Sequence, residues 1–312
     1  MTPGRRQRRP KAGVPGRGHR PVVFDLSDFL IRAHLDARLT SAGWDGRLIL
    51  PETVVDLSDI GAVYHRRCPP FDLPEAMNAD EQRFARVEGR FGLGGVLASL
   101  GAHWVSHPST MADAEYKPVQ YAAAVRAGLE LPPTWVGNVP ESTSAFLARQ
   151  GGAGVYKPLG GAFHVEGCRT QVVYANRITD TEELRDSALA LTAHCFQQWV
   201  DKDYEVRVTV VGTRLFAVAI HATSEAAYVD WRTDYASHRY EVVEVPDTVR
   251  EGLERYMRAF DLTYGAADFI VSPDGSWTLL EVNPNGEWGW LAHHCDLPIG
   301  QTIADLLEKG QT

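Results

Sequence analysis

The chain has 312 residues, 44 % hydrophobic and 23 % charged, with a formal net charge of −9. Such a length can hold one to three domains and a sizeable core. No run nears the roughly 20 consecutive apolar residues of a membrane helix, and no apolar stretch follows the N-terminal charges as in a secretory signal.

Residues 1–20 (MTPGRRQRRPKAGVPGRGHR) hold six Arg, one Lys and no acid. They carry too few apolar groups to offset the entropy of ordering, so they are predicted to be a disordered basic tail. Taking these seven positive charges from a net −9 leaves −16 on the remainder. An acidic body repels a phosphate backbone, which argues against nucleic acid as the main partner. Four cysteines, Cys68, Cys168, Cys195 and Cys295, lie far apart with no CxxC pair. That usage suits a reducing cytoplasm. His293-His294-Cys295 lacks the second ligand pair of a structural zinc site.

Ordered structure is expected from Arg20–Phe29 (RPVVFDLSDF), as a short strand and an Asp-containing turn. Leu48–Leu50, Ala62–Tyr64 and His103–Val105 read as further short strands. Between Met77 and Leu100 lies a helical pattern interrupted at GRFGLGG. Residues 21–108 are taken together as an N-terminal lobe. A helix follows over Met111–Ala127, its regular part starting at Pro118 and stopping at Gly128. Val155–Lys157 is a strand of a new lobe spanning 109–196, and a third lobe covers 197–312.

Tyr204–Ala222 (YEVRVTVVGTRLFAVAIHA) reads as a hairpin. Tyr204, Val206, Val208 and Val210 alternate on one face, with Glu205, Arg207 and Thr209 on the other. Gly212-Thr213 makes a two-residue turn of the Gly-first type. Thr248–Phe260 is a predicted helix, with Thr248 and Glu251 spaced as a capping box. Helices mixed with antiparallel hairpins indicate an α+β class.

Residues 268–286 (DFIVSPDGSWTLLEVNPNG) form a second hairpin. With Pro273–Ser276 as a four-residue turn, Ser272 faces Trp277, Ile270 faces Leu279, and Asp268 faces Glu281. Asn283 shares the face of Glu281. Carboxylates opposed across a strand pair repel, and burial raises the cost. A hard cation removes the problem, because Mg²⁺ takes one or two carboxylates together with substrate phosphates. The alternative is a solvent-facing acidic hairpin in a shifted register.

Other residues fit a nucleotide site. Lys117 in EYKPVQ and Lys157 in VYKPLGG could bind phosphates, without a Walker A motif, or be solvated surface lysines. Gln197–Val200 (QQWV) could offer backbone groups to an adenine edge, or be a buried strand. Glu205 and Arg207 form a surface ion pair or, in a phosphate site, Arg207 steadies charge on the transferring phosphoryl group.

Taken in order, Lys117, Lys157, QQWV, Glu205-Val206-Arg207, Asp268 and Glu281-Val282-Asn283 resemble the ATP-grasp ligases. A narrower resemblance is carried by YHRRCPPFDLP, HPSTMADAEYKPVQ, VYKPL, FQQWVDKDYEVRVTVVG, DWRTDY, YGAADFIVSPDGSWTLLEVNPNGEWGW and LPIG. These look like the ATP-grasp ribosomal peptide maturases, the graspetide (microviridin-type) macrocyclases, most like the actinobacterial branch. The resemblance implies two antiparallel-sheet lobes holding ATP, preceded by a smaller α/β pre-ATP-grasp lobe. It implies that Lys117 and Lys157 bind phosphates, that Gln198, Trp199 and Val200 hold adenine, and that Glu205 lies near the nucleotide. Asp268, Glu281 and Asn283 would hold Mg²⁺, Arg207 would steady the acyl phosphate, and Arg232 in DWRTDY would grip the substrate carboxylate. Asp25, Asp28 and Phe29 match an Asp-x-x-Asp-Phe motif that relatives place after a strand–helix unit. Here the basic tail stands in place of that unit, so a truncated first lobe is expected.

The resemblance also implies the reaction. An Asp or Glu side chain of a ribosomal precursor peptide attacks the γ-phosphate of ATP, and a Thr or Ser hydroxyl or a Lys amine then displaces phosphate. The expected partner is a leader peptide with an acidic, Thr-rich core, in the cytoplasm and without a membrane. Homo-oligomerisation is left open. The alternatives are a ligase adding a free amino acid to a carboxylate, and a degenerate ATP- or peptide-binding protein without turnover.

Overall fold

The computed structural model describes residues 21–66, 69–160, 163–166, 169–172, 175–179, 184, 187–224, 227–228 and 238–309. Arg232 and the basic tail lie outside the described residues. The chain divides into two compact units. One runs to Val105 and takes in the chain from Gln301, and the other is Ser106–Gly300.

The first unit holds β1 (His34–Thr40), β2 (Gly43–Leu50), β3 (Thr53–Asp56), β4 (Ala62–Tyr64), α1 (Ala79–Ala98) and β5 (His103–Val105). β1, β2 and β3 form an antiparallel sheet in that order, and β4 pairs with β5 in parallel. Alternation splits the larger sheet into two faces. Leu48 stands between Leu35 and Val55, and all three pack in a core with Phe29, Phe71 and Leu93. The other face sets Arg47 between Asp36 and Asp56.

Two expectations for this unit are corrected. Residues 21–25 form no strand. The Asp25 side chain instead accepts the Ser27 N–H at 3.0 Å and caps a single 3₁₀ turn, Leu26–Asp28, the local competition with extended structure that Asp favours. Nor does GRFGLGG interrupt α1, which runs unbroken from a capping box at Asn78 and Glu81. A Cβ on Gly89 would lie 2.9 Å from the Phe71 ring, so that glycine is a packing contact. Burial of Leu93 and Val96 offsets the roughly 1 kcal/mol each helical glycine costs.

The second unit begins with α2 (Pro108–Ala114) and α3 (Lys117–Arg126), separated at Glu115-Tyr116. Pro118 sits in the first turn of α3, and Gly128 (φ +79°) lies just past its end, as the sequence indicated. Next come β6 (Thr134–Gly137), α4 (Pro140–Arg149), β7 (Gly154–Lys157), β8 (Phe163–Glu166), β9 (Arg169–Val172), β10 (Asn176–Ile178) and β11 (His194–Gln198). β8 pairs with β9, and the other four strands form an antiparallel sheet in the order β10-β7-β11-β6. Phe196 of β11 packs there against Phe146 and Leu147 of α4.

The remaining elements are β12 (Tyr204–Val211), β13 (Arg214–Ala222), β14 (His238–Val242), α5 (Asp247–Ala259), β15 (Tyr264–Val271), β16 (Trp277–Asn283), α6 (Gly289–His294) and α7 (Ile299–Lys309). A five-stranded antiparallel sheet runs β14-β13-β12-β15-β16. The β12–β13 hairpin has the expected register and turn, with Val211 opposite Arg214 and Gly212 at φ +58°. The Thr248–Glu251 capping box does not form. α5 starts one residue earlier, so Thr248 already lies inside the helix and Pro246 is the cap residue.

One face of the large sheet is apolar. Val206, Val208, Phe269, Leu279 and Val282 share a core with Ala123 of α3 and Leu253 of α5. Alternation therefore turns Glu205, Arg207, Thr209 and Asp268 to the opposite face, where they are also buried.

Candidate active site

The polar face is organised by register. Arg207 of β12 stands opposite Asp268 of β15, and Asp268 stands opposite Glu281 of β16. The three form one row across adjacent strands. Arg207 Nη1 donates to both Asp268 carboxylate oxygens, at 3.0 and 3.2 Å, with each side chain 5 % exposed. Lys117 Nζ, from the first turn of α3, lies 3.2 Å from Glu281 Oε2. Each opposed carboxylate thus has its own cation. In the next row Ala266 faces Asn283, and a β-strand keeps Asn283 on the face of Glu281.

The sequence placed Asp268 opposite Glu281 correctly, but for a ladder that is not the one formed. At the tip Val271 faces Trp277, Ile270 faces Thr278 and Phe269 faces Leu279. The ladder then shifts by one residue, leaving Leu280 as a bulge. The turn is also longer, with Ser272 N–H bonded to Ser276 O at 3.0 Å. Without the bulge, Leu280 would face Asp268, and Glu281 and Asn283 would turn to the apolar side.

The loop after β16 folds back over the row. Asn283 Oδ1 accepts the Asn285 N–H at 2.9 Å, and Tyr264 donates its hydroxyl to Gly286 O at 2.6 Å. A Cβ on Gly286 would sit 2.4 Å from Ala266 Cβ and 2.7 Å from Arg207 Nη2. The glycine therefore permits the backbone to close on Arg207.

Lys157 ends β7, directly across from Cys195 of β11. Burial pushes the Cys195 thiol's pKa up, against the opposing pull of Lys157 and, more weakly, Lys117. Tyr121, one turn along α3 from Lys117, is pushed up by burial and by the charges of Cys195 and Glu281. The two lysines on α3 and β7 therefore border a common region with Glu281.

The segment after Gln198 connects β11 of the four-stranded sheet to β12 of the five-stranded sheet. Gln198 N–H bonds to Pro133 O at 2.9 Å, and Trp199 Nε1 bonds to Asp201 Oδ1 at 2.8 Å. The Arg177 guanidinium lies over the Trp199 ring, 4.4 Å from its centroid. A cleft of about 570 Å³ opens along Gln198–Asp201 and Ser272–Asp274.

Arg207 takes Asp268 from the neighbouring strand. Glu205 is ion-paired to Lys202, and both are buried. Lys202 also lies over the Tyr228 ring, and its backbone carbonyl accepts the Tyr228 hydroxyl at 3.0 Å. The sequence reading passed over Lys202. Its signal was its place three residues before Glu205 in a segment entering a strand. Gly286 and Gln120 were also passed over.

Among the described residues no group of three His, Cys, Asp or Glu is placed to hold a metal. The set here is smaller, with two carboxylates and the Asn283 amide oxygen. Those are hard oxygen donors in the number Mg²⁺ uses when water and phosphate complete its octahedron. The donor chemistry fits that ion.

Comparison with known proteins decides the family. The family described as the MvdD pre-ATP grasp domain matches residues 11–112. A ligase from Chryseobacterium gregarium, described as a RiPP-associated ATP-grasp ligase in complex with ADP and a leader and core peptide, is 30 % identical with a TM-score of 0.84. The match covers 91 % of this chain and 87 % of that one. The chain belongs to the RiPP-associated ATP-grasp ligases. Such ligases serve ribosomally made, post-translationally modified peptides. Macrocyclase MdnC from Microcystis aeruginosa MRC, bound with precursor peptide MdnA, is 28 % identical at a TM-score of 0.80, covering 91 % of this chain and 90 % of that one. ATP-grasp ligase PsnB, complexed with minimal precursor, Mg and ADP, is 25 % identical at 0.72, covering 95 % and 90 %. No curated protein sequence matches the chain. The four-stranded and five-stranded antiparallel sheets of residues 106–300 are thus those of an ATP-grasp fold.

Proposed function

We propose that this ATP-grasp ligase activates Asp or Glu side chains of a ribosomal precursor peptide and joins them to Thr or Ser hydroxyls or Lys amines of the same peptide. The products are ω-ester or ω-amide rings. The observation that carries the reading is the row Arg207–Asp268–Glu281 with Lys117 beside it. It gathers the charges a triphosphate and its metal need on one buried sheet face. The complexes of the Chryseobacterium ligase and MdnC with their peptides support the substrate class.

In this reading a peptide carboxylate oxygen attacks the γ-phosphorus of ATP, giving an acyl phosphate and ADP. The hydroxyl or amine then attacks the acyl carbon, phosphate leaves, and one water is lost per link. Lys117 and Lys157 bind the phosphates, and Arg207, fixed by Asp268, steadies the phosphoryl group. Asp268, Glu281 and Asn283 hold Mg²⁺, which when bound draws charge from the phosphate oxygens. On nucleotide binding, Lys117 exchanges Glu281 for phosphate. Gln198, Trp199 and Val200 hold adenine, and Glu205, ion-paired to Lys202, lies near the nucleotide. Arg232 grips the substrate carboxylate. Residues 21–108, 109–196 and 197–312 are the pre-ATP-grasp, central and C-terminal lobes. The reaction belongs in the cytoplasm, where ATP and newly made peptide meet.

Co-expression with an acidic, Thr-rich candidate precursor and mass spectrometry test this. Water loss supports it. A mass gain would instead indicate ligation of a free amino acid. Unchanged mass with no ADP formed would indicate a binding protein without turnover.

A further inference from the structure

β16 is the last strand of its sheet, so N–H groups on its outer edge have no strand to bond. Two of them are nevertheless satisfied. Leu279 N–H donates to Glu130 O at 2.7 Å, and Val282 N–H donates to Gln120 Oε1 at 3.2 Å. In a regular strand, residues an odd number apart send their N–H groups in opposite directions. Leu279 and Val282 are three apart and both point outward, because the bulge at Leu280 changes the phase between them. The bulge is therefore bracketed by one bond on each side.

The inner bond of that bracket is a side chain. Gln120 is buried, and its Nε2 is anchored to Ala114 O at 2.5 Å. Gln120 lies one turn along α3 from Lys117, and Val282 lies between Glu281 and Asn283. We infer that Gln120 is a positioning residue for the metal site: its amide holds the bulge phase that turns Glu281 and Asn283 toward Asp268, and it ties that strand to the helix carrying Lys117. A one-residue slip would carry both donors to the apolar face. This rests on the reading of Asp268, Glu281 and Asn283 as magnesium donors.

The test uses Gln120→Met, which keeps the volume and removes the acceptor, and Gln120→Glu, which keeps an acceptor for Val282. Two readouts are taken: hydrogen exchange of the Val282 amide in the metal-free protein, and the Mg²⁺ concentration giving half-maximal ADP formation. Gln120→Met should speed Val282 exchange about fivefold or more, the loss of one hydrogen bond. It should also raise the Mg²⁺ half-saturation about 10- to 100-fold, the usual effect of losing a partner that orients a metal ligand. Gln120→Glu, held protonated by burial, keeps a donor for Ala114 O and an acceptor for Val282, so it should stay within about threefold of wild type on both readouts. Unchanged exchange in Gln120→Met overturns the inference, and so does faster exchange with an unchanged Mg²⁺ requirement. If Gln120→Met does not fold, a large Mg²⁺ shift in Gln120→Glu overturns it. Glu281→Gln scores the metal reading separately. A wild-type Mg²⁺ requirement there removes that reading and this one together, whereas a wild-type requirement in Gln120→Met alone removes only this one.

Discussion

Asp268 and Glu281 stand directly opposite each other on adjacent strands, yet each is neutralised by a different cation, Arg207 for the first and Lys117 for the second. The two pairs differ in burial, which separates stability from activity. Arg207 and Asp268 are each 5 % exposed, so Asp268→Ala removes the carboxylate paired to a buried guanidinium and should cost about 3–5 kcal/mol. Lys117 and Glu281 are 16 % and 20 % exposed, and Glu281→Gln should cost about 1 kcal/mol or less. Both should lower ADP formation by about a hundredfold or more, because both are donors in the proposed magnesium site. Thermal melting and ADP release, measured side by side, check this. Equal destabilisation by the two variants would contradict the burial argument.

Lys202 and Glu205 make a second buried pair. Lys202→Met takes the cation from beside a buried carboxylate and should destabilise by about 3–5 kcal/mol. Adding Glu205→Leu should recover most of that loss, since an apolar pair of similar volume tolerates burial well. Denaturant titrations of the two singles and the double give the coupling. Additive losses would mean the two side chains do not interact.

Gly286 closes against Ala266 and Arg207. Gly286→Ala inserts a methyl where no room exists, and overpacking of this kind costs about 1–3 kcal/mol. The displaced loop should also release Arg207, so the turnover number should fall more than ATP affinity does. A Gly286→Ala protein with wild-type melting and turnover would show that the loop simply moves aside.

Cys195 and Tyr121 share a direction of pH dependence. Burial raises both pKa values, so each group stays neutral in the folded protein while the unfolded chain ionises first. For an acid with a raised folded pKa, that contribution is fully present below the unfolded value and is lost as pH rises above it. Stability should therefore decline from about pH 9 upward, near the ordinary thiol value. The decline should be shallower in Cys195→Ala. Iodoacetamide at neutral pH should leave native Cys195 unmodified and label it after unfolding, because only the thiolate reacts.

The β12–β13 hairpin was legible because its alternation is regular and Gly212 opens the turn. The opposed acids were legible for a less secure reason. A uniform ladder drawn through residues 268–286 pairs Asp268 with Glu281, and so does the real one, but only beyond the Leu280 bulge. A bulge has little local signature, and the adjacent Leu279 and Leu280 were its one trace. α1 was misread because the packing of Phe71 on Gly89 joins residues far apart in the chain. Glu205 and Arg207 looked like partners because they share a strand face. Each instead takes a partner from elsewhere, Lys202 from the preceding segment and Asp268 from a strand 61 residues on.

The most direct test incubates the purified protein with ATP, Mg²⁺ and an acidic, Thr-rich precursor carrying its leader, and follows peptide mass and ADP together. One ADP should form and one water should be lost per link, with both rates about a hundredfold or more lower in Glu281→Gln. ADP formation with unchanged peptide mass, or water loss at the wild-type rate in Glu281→Gln, would contradict the proposed reaction.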